Sequence, residues 1–357
     1  MAGAKNIEAL SLAFTLGVGM GVGLSGSVPW EVSAAALALS GVPLLLAGRC
    51  APPGELPLLV VSFLLAGLFS GLAGSIPWAG APSMPERWAR AACERLKEVI
   101  ARTPFPSEGT APLLTALFTG DRSGLSRATV SAFRDSGASH ILALSGLHLG
   151  ILYAILDRIT RAAGAFPAVR RVRFGLILGS AGFFTLMTGA APSLVRAFLF
   201  IAINETLHLT GRPRKATRVL CLALLVQLVL DPTAIRSVGF QLSYLAMAGI
   251  FLLYPPLEAW YPPSPAWDPF RRIWKGAALS LSCQLFTAPL VWHHFHSFPR
   301  HFLLTNLLAL PLTTLLMGSA TLLLALRALG PCPALLIRLT DTLCNGLQWV
   351  LGIIAGM

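Results

Sequence analysis

Charge is what this sequence has least of. Asp, Glu, Lys and Arg make up 12% of its 357 residues, where soluble chains carry roughly 25%. That scarcity excludes an ordinary water-soluble domain. Carboxylates are the rarer sign, 15 against 27 Lys and Arg, which leaves a net charge of +12. The excess argues only weakly for a nucleic-acid partner, because cytoplasmic loops of membrane proteins are enriched in Lys and Arg anyway. Cysteine is sparse. Cys50, Cys93, Cys221, Cys283, Cys332 and Cys344 show no paired spacing and mostly lie in or beside apolar runs, so they read as buried thiols rather than a disulfide framework or zinc site. No nucleotide-binding loop is present: Gly120-Asp121-Arg122-Ser123-Gly124-Leu125-Ser126 lacks the G-x-x-x-x-G-K-[ST] spacing and follows no strand. A turn capped by Asp121 and Ser126 is expected there instead. The first apolar run lacks a small-residue cleavage site and reads as a retained helix.

Apolar residues are what the chain does have, at 55% with a mean hydropathy of +0.71. Runs near the ~18 residues needed to cross a bilayer begin near Ile7, Val32, Leu58, His140, Phe174, Pro192, Ala216, Val238, Ala277, Phe302 and Ala334. The expected fold class is all-α: a polytopic transmembrane helical bundle of about 10–11 membrane segments with one amphipathic interfacial segment. Residues 1–78 form N-terminal transmembrane segments and residues 79–137 an external amphipathic stretch. Within it Trp88, Ala91, Ala92, Leu96 and Ile100 recur at helical spacing. Residues 138–357 form the main membrane core. Cationic loops at Arg158–Arg173, Arg212–Arg218 and Arg271–Lys275 alternate along the chain. Positive-inside topology then puts the N-terminus in the cytoplasm, the C-terminus outside, and the turn near His296 outside. Trp260, Trp267 and Trp274 suit an interfacial aromatic belt.

Polar residues inside apolar runs are the candidate functional groups, since they face a bundle interior or a water-filled cavity. Ser139-His140-Ile141-Leu142-Ala143-Leu144-Ser145-Gly146-Leu147-His148-Leu149-Gly150 is the richest such run. On a helix Ser145 and His148 share a face, and Gly146 and Gly150 form a small-residue packing patch. Gly137 and Ser139 mark a helix start, with a break or re-entrant turn open as an alternative. Arg196 lies on a later run near its expected outer entrance, and Glu205, nine residues on, falls on the opposite helix face. Gln241 and Ser243, with Gln284, are weaker intrusions. His140, Ser145, His148, Arg196, Gln241 and Ser243 are therefore the candidate path-lining residues, against the plainer reading that they bond across helices. His293, His294, His296 and His301 have no accompanying carboxylate or cysteine pattern, so they read as polar residues at a span end, with no metal site expected.

Five blocks resemble the ComEC competence family, in that family's order. They are Leu114–Ser126 with its Gly-Asp-Arg-Ser-Gly-Leu-Ser; Ser139–Gly150; and Gly189-Ala190-Ala191-Pro192-Ser193-Leu194-Val195-Arg196-Ala197. Asp231-Pro232 with Gly239–Ala246, and Pro289 leading to Thr305–Pro311, complete the set. The resemblance implies a conduit for single-stranded DNA across the bacterial inner membrane during transformation, multi-pass in the lipid bilayer. It implies a cytoplasmic helicase-like motor and an external DNA receptor as partners. A separate nuclease or OB protein and a homodimer are further partner expectations. It implies no cofactor and no catalytic residue, since the family's metallo-β-lactamase-like domain, with its H-x-H-x-D-H pattern, has no counterpart in these residues. The interval after Trp78 is also too short for the family's OB-like domain. Two rival readings remain at this point: an ion-coupled small-molecule transporter, and an intramembrane serine protease using Ser145 with His148 as base.

Overall fold

The computed structural model describes residues 2–24, 40, 55–73, 84–162, 166–212, 215–262, 268–296, 298–330 and 332–357. Among these residues the chain is all-α, with 14 α-helices and no strand. The helices are α1 (Ala2–Leu24), α2 (Glu55–Ala73), α3 (Met84–Ala101), α4 (Thr110–Thr119), α5 (Arg127–Asp135), α6 (Ser139–Leu142) and α7 (Gly146–Ala162). They continue with α8 (Pro167–Met187), α9 (Pro192–Leu209), α10 (Ala216–Leu230), α11 (Val238–Ala259), α12 (Pro269–Phe295), α13 (Phe302–Ala328) and α14 (Ala334–Ala355).

Among the described residues, four helices are long and apolar enough to cross a membrane: Ile7–Leu24, Leu56–Ala73, Val238–Ala259 and Phe302–Ala328. This is the pattern of a polytopic membrane protein. The sequence suggested about 10–11 spans. The run near Val32, with Trp267 and Cys50, lies outside the described residues. The other expected runs are helical but fall short of those four for visible reasons. The His140 run is broken, α10 has only 15 residues, and α8 and α12 begin with Arg170, Arg171 and Arg173, and with Arg271, Arg272 and Lys275. Arg196 and Glu205 lie within α9, and Arg338 and Asp341 within α14.

The chain divides into two compact units. One contains residues 1–81 and 198–244 and is built on the pairing of α1 with α2. Small residues make that pairing possible: a Cβ placed on Gly17 would lie 2.0 Å from the Leu64 carbonyl oxygen, and one on Gly67 2.2 Å from that of Phe14. In lipid, where no hydrophobic force drives helices together, such close backbone approach supplies the van der Waals packing that holds them. Tyr244 closes the unit by donating its hydroxyl to Gln227 Oε1 at 3.0 Å.

The second unit contains residues 82–197 and 245–357. Its core joins α3–α6 to α13 and α14, with Leu113, Leu114, Leu117, Phe133, Ile141, Leu316 and Leu347 almost wholly buried. Helix α4 is thus a core element, with Leu113, Leu114, Ala116 and Leu117 fully buried. Helix α3 is amphipathic, but it turns Ala89 and Ile100 inward and leaves Trp88 68% exposed, so the large ring is on the open face. Asp157 on α7 binds both Arg161 Nε (2.8 Å) and Arg173 Nη2 on α8 (2.7 Å), fixing that helix pair at one end.

Candidate functional site: a broken helix beside Arg196

The apolar run that begins at Ser139 does not form one helix. Helix α6 ends at Leu142, Ala143 turns extended (φ −76°, ψ 128°), and α7 starts at Gly146. Irregular backbone within an apolar run needs partners for its polar groups, and local residues supply them. Ser145 caps α7, its Oγ accepting from Leu147 N at 3.3 Å. His148 reaches back in the manner of a capping box: its Nδ1 accepts from Ser145 N at 3.2 Å. The Leu144 carbonyl accepts from Ser193 Oγ at 2.8 Å.

That arrangement fixes the chemistry of both residues. A ring nitrogen that accepts carries no proton, so the neutral His148 ring holds its hydrogen on Nε2. Nε2 is buried and has no hydrogen-bond partner among the described residues. Ser145 Oγ lies 3.3 Å from His148 Nδ1, close enough for a nucleophile and its base. The single in-plane lone pair of Nδ1 is already taken by the backbone N–H, however, so the pair is built for capping rather than for activating a hydroxyl.

Three other sequence blocks converge on the break. Gly120, at φ +79°, sits against Leu144, whose Cδ1 would be 2.7 Å from a Cβ there. The Gly120–Ser126 segment is the expected capped turn: Asp121 Oδ1 accepts from Ser123 N at 3.0 Å, and Ser126 caps α5 through Thr129 N at 3.0 Å. Asp121 Oδ2 also meets Lys97 Nζ on α3 at 2.9 Å. The Ser123 hydroxyl and the Lys97 ammonium hold the Asp121 carboxyl well below the usual carboxylate range, and Asp121 and Glu94 raise Lys97 above the ordinary lysine value. From the third block, Arg196 stands beside the first turn of α7: a Cβ on Gly146 would lie 3.1 Å from its Nη2 and 3.4 Å from Ala197 Cβ. From the last block, Thr305 Oγ1 donates to the Ser136 carbonyl at 2.6 Å, and Pro299 Cβ would be 2.6 Å from a Cβ on Gly137.

The candidate residues therefore separate. Ser145, His148, Arg196 and Gly146 come together. His140 is in the same unit but exposed, its Nδ1 3.2 Å from the Gly137 carbonyl oxygen. A Cβ on Gly150 would meet nothing within 4 Å. Gln241 and Ser243 belong to the other unit, where Gln241 Nε2 donates to the Ile235 carbonyl at 2.8 Å.

Sequence reading missed Asp341. This buried carboxylate on α14 accepts from Ser107 N (3.2 Å), Ser107 Oγ (2.8 Å), Thr110 Oγ1 (2.6 Å) and Asn345 Nδ2 (3.2 Å). It satisfies the start of α4 from a distant helix. The signal was present: Asp341, Asn345 and Gln348 fall at i, i+4 and i+7 on an otherwise apolar helix.

The convergence of these blocks matches what comparison with known proteins finds. The family described as Competence protein matches residues 117–357. The chain belongs to that family. It is 31% identical over 242 residues to ComE operon protein 3 of Bacillus subtilis, covering 65% of this chain and 28% of that protein. Recombination protein 2 of Haemophilus influenzae is 28% identical over 239 residues, covering 63% and 29%. Competence protein ComA of Neisseria gonorrhoeae is 32% identical over 144 residues, covering 39% and 20%. The match spans less than a third of each of these relatives. No solved structure matches the chain.

Proposed function

We propose that this competence-family chain forms the membrane path by which single-stranded DNA crosses the bacterial cytoplasmic membrane in natural transformation. One observation carries the reading. In the unit that holds four of the family's five blocks, His148 Nε2, Gln284 Nε2, Asn306 Oδ1 and Thr313 Oγ1 are buried without a hydrogen-bond partner among the described residues. An unmade hydrogen bond costs about 1–3 kcal/mol per buried group, and more in hydrocarbon, where nothing competes to satisfy it. Opening of a hydrated path beside them would supply those partners. Asn306 and Thr313 lie seven residues apart on α13 and so share one face. The dipole of the first turn of α7, with the Arg196 guanidinium beside it, adds the positive potential that a phosphate backbone requires.

In this reading no residue acts catalytically, and Ser145 and His148 shape the break. The chain is multi-pass, with its N-terminus cytoplasmic, its C-terminus external and the strand entering from outside. Force comes from a helicase-like motor on the cytoplasmic face, and DNA is delivered by an external receptor. The test is uptake in the chain's own host. Deleting the gene should leave labelled duplex bound at the cell surface while internalised label falls to background, and expression of the chain should restore it. Unchanged internalisation after deletion would sink the reading.

A further inference from the structure

By sequence, His293, His294, His296 and His301, at the end of α12 and in the turn after it, read as polar residues at a span end. Trp292, His293, His294, Phe295 and His296 are all exposed, Trp292 and Phe295 by 58% each. Five successive residues at ~100° per step cover every side of a helix. No side of this last turn is covered, so it extends past the packed helices. An interfacial aromatic belt differs, presenting rings on the lipid side of a helix whose other side is packed. His296 caps the helix in the left-handed region (φ +48°), and Phe298, beyond it, is 47% exposed. Rings follow one another at close spacing: His293 to His294 at 5.1 Å, His294 to Phe295 at 6.4 Å, Trp292 to His296 at 6.5 Å. Exposed apolar rings in such density mark a surface that something covers.

Charge selects what covers it. No Asp or Glu occurs from Pro269 to Thr340, so the turn holds exposed Arg300 and imidazoles with no carboxylate among them. The carboxylate carried by the adjoining segment, Asp135, is engaged by Arg134 Nε at 3.1 Å. Stacking rings beside a guanidinium, with no acid among them, are the chemistry that holds a single strand, bases on rings and phosphates on guanidinium. The turn is also anchored where a landing site belongs. Pro299 packs on Gly137, and Thr305 bonds to Ser136, immediately before the broken helix.

We infer that Trp292–His296 together with Phe298–His301 is a single-stranded nucleic-acid landing platform, stacking bases on Trp292, Phe295 and Phe298 and binding phosphate through Arg300. The proposal rests on the uptake reading for the direction of travel, but its binding chemistry can be tested separately.

The test uses the full chain in phosphatidylcholine nanodiscs, with fluorescent oligothymidylate and an abasic oligomer of equal length as probes. Replacing Trp292, Phe295 and Phe298 together by Ala should weaken oligothymidylate binding about tenfold or more, since each stacked base is worth on the order of 1–3 kcal/mol. It should leave abasic binding unchanged. Arg300→Gln should weaken both probes and remove roughly one phosphate contact from the salt dependence. Trp292→Phe, which keeps a stacking face, should retain most of the discrimination; equal loss in this variant would indicate a packing defect and overturn the proposal. Unaltered oligothymidylate binding by the triple variant would overturn the platform and leave the uptake reading standing. A native chain that binds neither probe would overturn both.

Discussion

At the scale of single residues, the break in the His140 run turns on two side chains that the sequence had placed on one helix face. Ser145 and His148 do face each other, but across a helix N-terminus rather than along a helix, and that changes what their removal does. Loss of an N-cap hydroxyl costs roughly 0.5–2 kcal/mol. Ser145→Ala should therefore lower the unfolding temperature slightly while DNA internalisation stays within a few-fold of native at matched membrane abundance. Ser145→Leu, which fills the break, should abolish internalisation. Complete loss in Ser145→Ala at normal abundance would move hydroxyl chemistry ahead of conduction. The Lys97–Asp121 pair is a second residue-level test. The depressed Asp121 pKa stabilises the fold above the unfolded carboxylate value and is lost only as pH falls below it; the raised Lys97 pKa stabilises below the unfolded lysine value and is lost only as pH rises above it. Thermal unfolding of Lys97→Met relative to native should thus show a small deficit, ~0–1 kcal/mol for so exposed a pair, that stays constant from about pH 5 to pH 9. A deficit that changes within that window would assign the stabilisation to other groups.

At the scale of elements, helices pack through small residues and buried polar ties. Gly17→Leu forces a side chain into the Leu64 carbonyl and should separate α1 from α2. A cysteine pair engineered across that contact should then fail to crosslink. Asp341→Ala strips the acceptor from the Ser107 N–H and hydroxyl and from the buried Thr110 hydroxyl, at about 1–3 kcal/mol for each buried donor left unmade, so it should be among the most destabilising single changes in α14. Asp341→Asn should recover part of the loss, because one amide oxygen still accepts. Unfolding of the two variants in detergent compares them directly, and equal stability would mean the cluster is not what holds α4 to α14. Helical character was legible in the sequence because apolar composition and length decide it. The break after Leu142 was legible only as an option, since Gly137 and Ser139 mark a start while nothing local announces Ala143 as extended. The inward burial of α4 was not legible: its ten residues are apolar on all sides, and only the tertiary partners α13 and α14 distinguish a core helix from an interfacial one. Asp341 escaped notice because the Ser107 and Thr110 groups it binds lie more than 230 positions away.

At the scale of the whole molecule, the family's blocks are spread over most of the chain, yet four of the five reach the neighbourhood of one broken helix. If DNA crosses by the proposed route, this break lies on a hydrated path. Orientation is a preliminary check: in a cysteine-free background, a cysteine at Ser297 should react with an impermeant thiol reagent in intact cells, and one at Ala168 only after permeabilisation. The reverse pattern would invert the entrance. The most direct test places a single cysteine at Ser145 in the same background and measures DNA internalisation before and after a charged, water-soluble methanethiosulfonate. The account predicts that the thiol is modified, that internalisation then stops, and that strand in transit slows the modification. A cysteine at Ser145 that resists the reagent, or that is fully modified while DNA continues to enter, would contradict it.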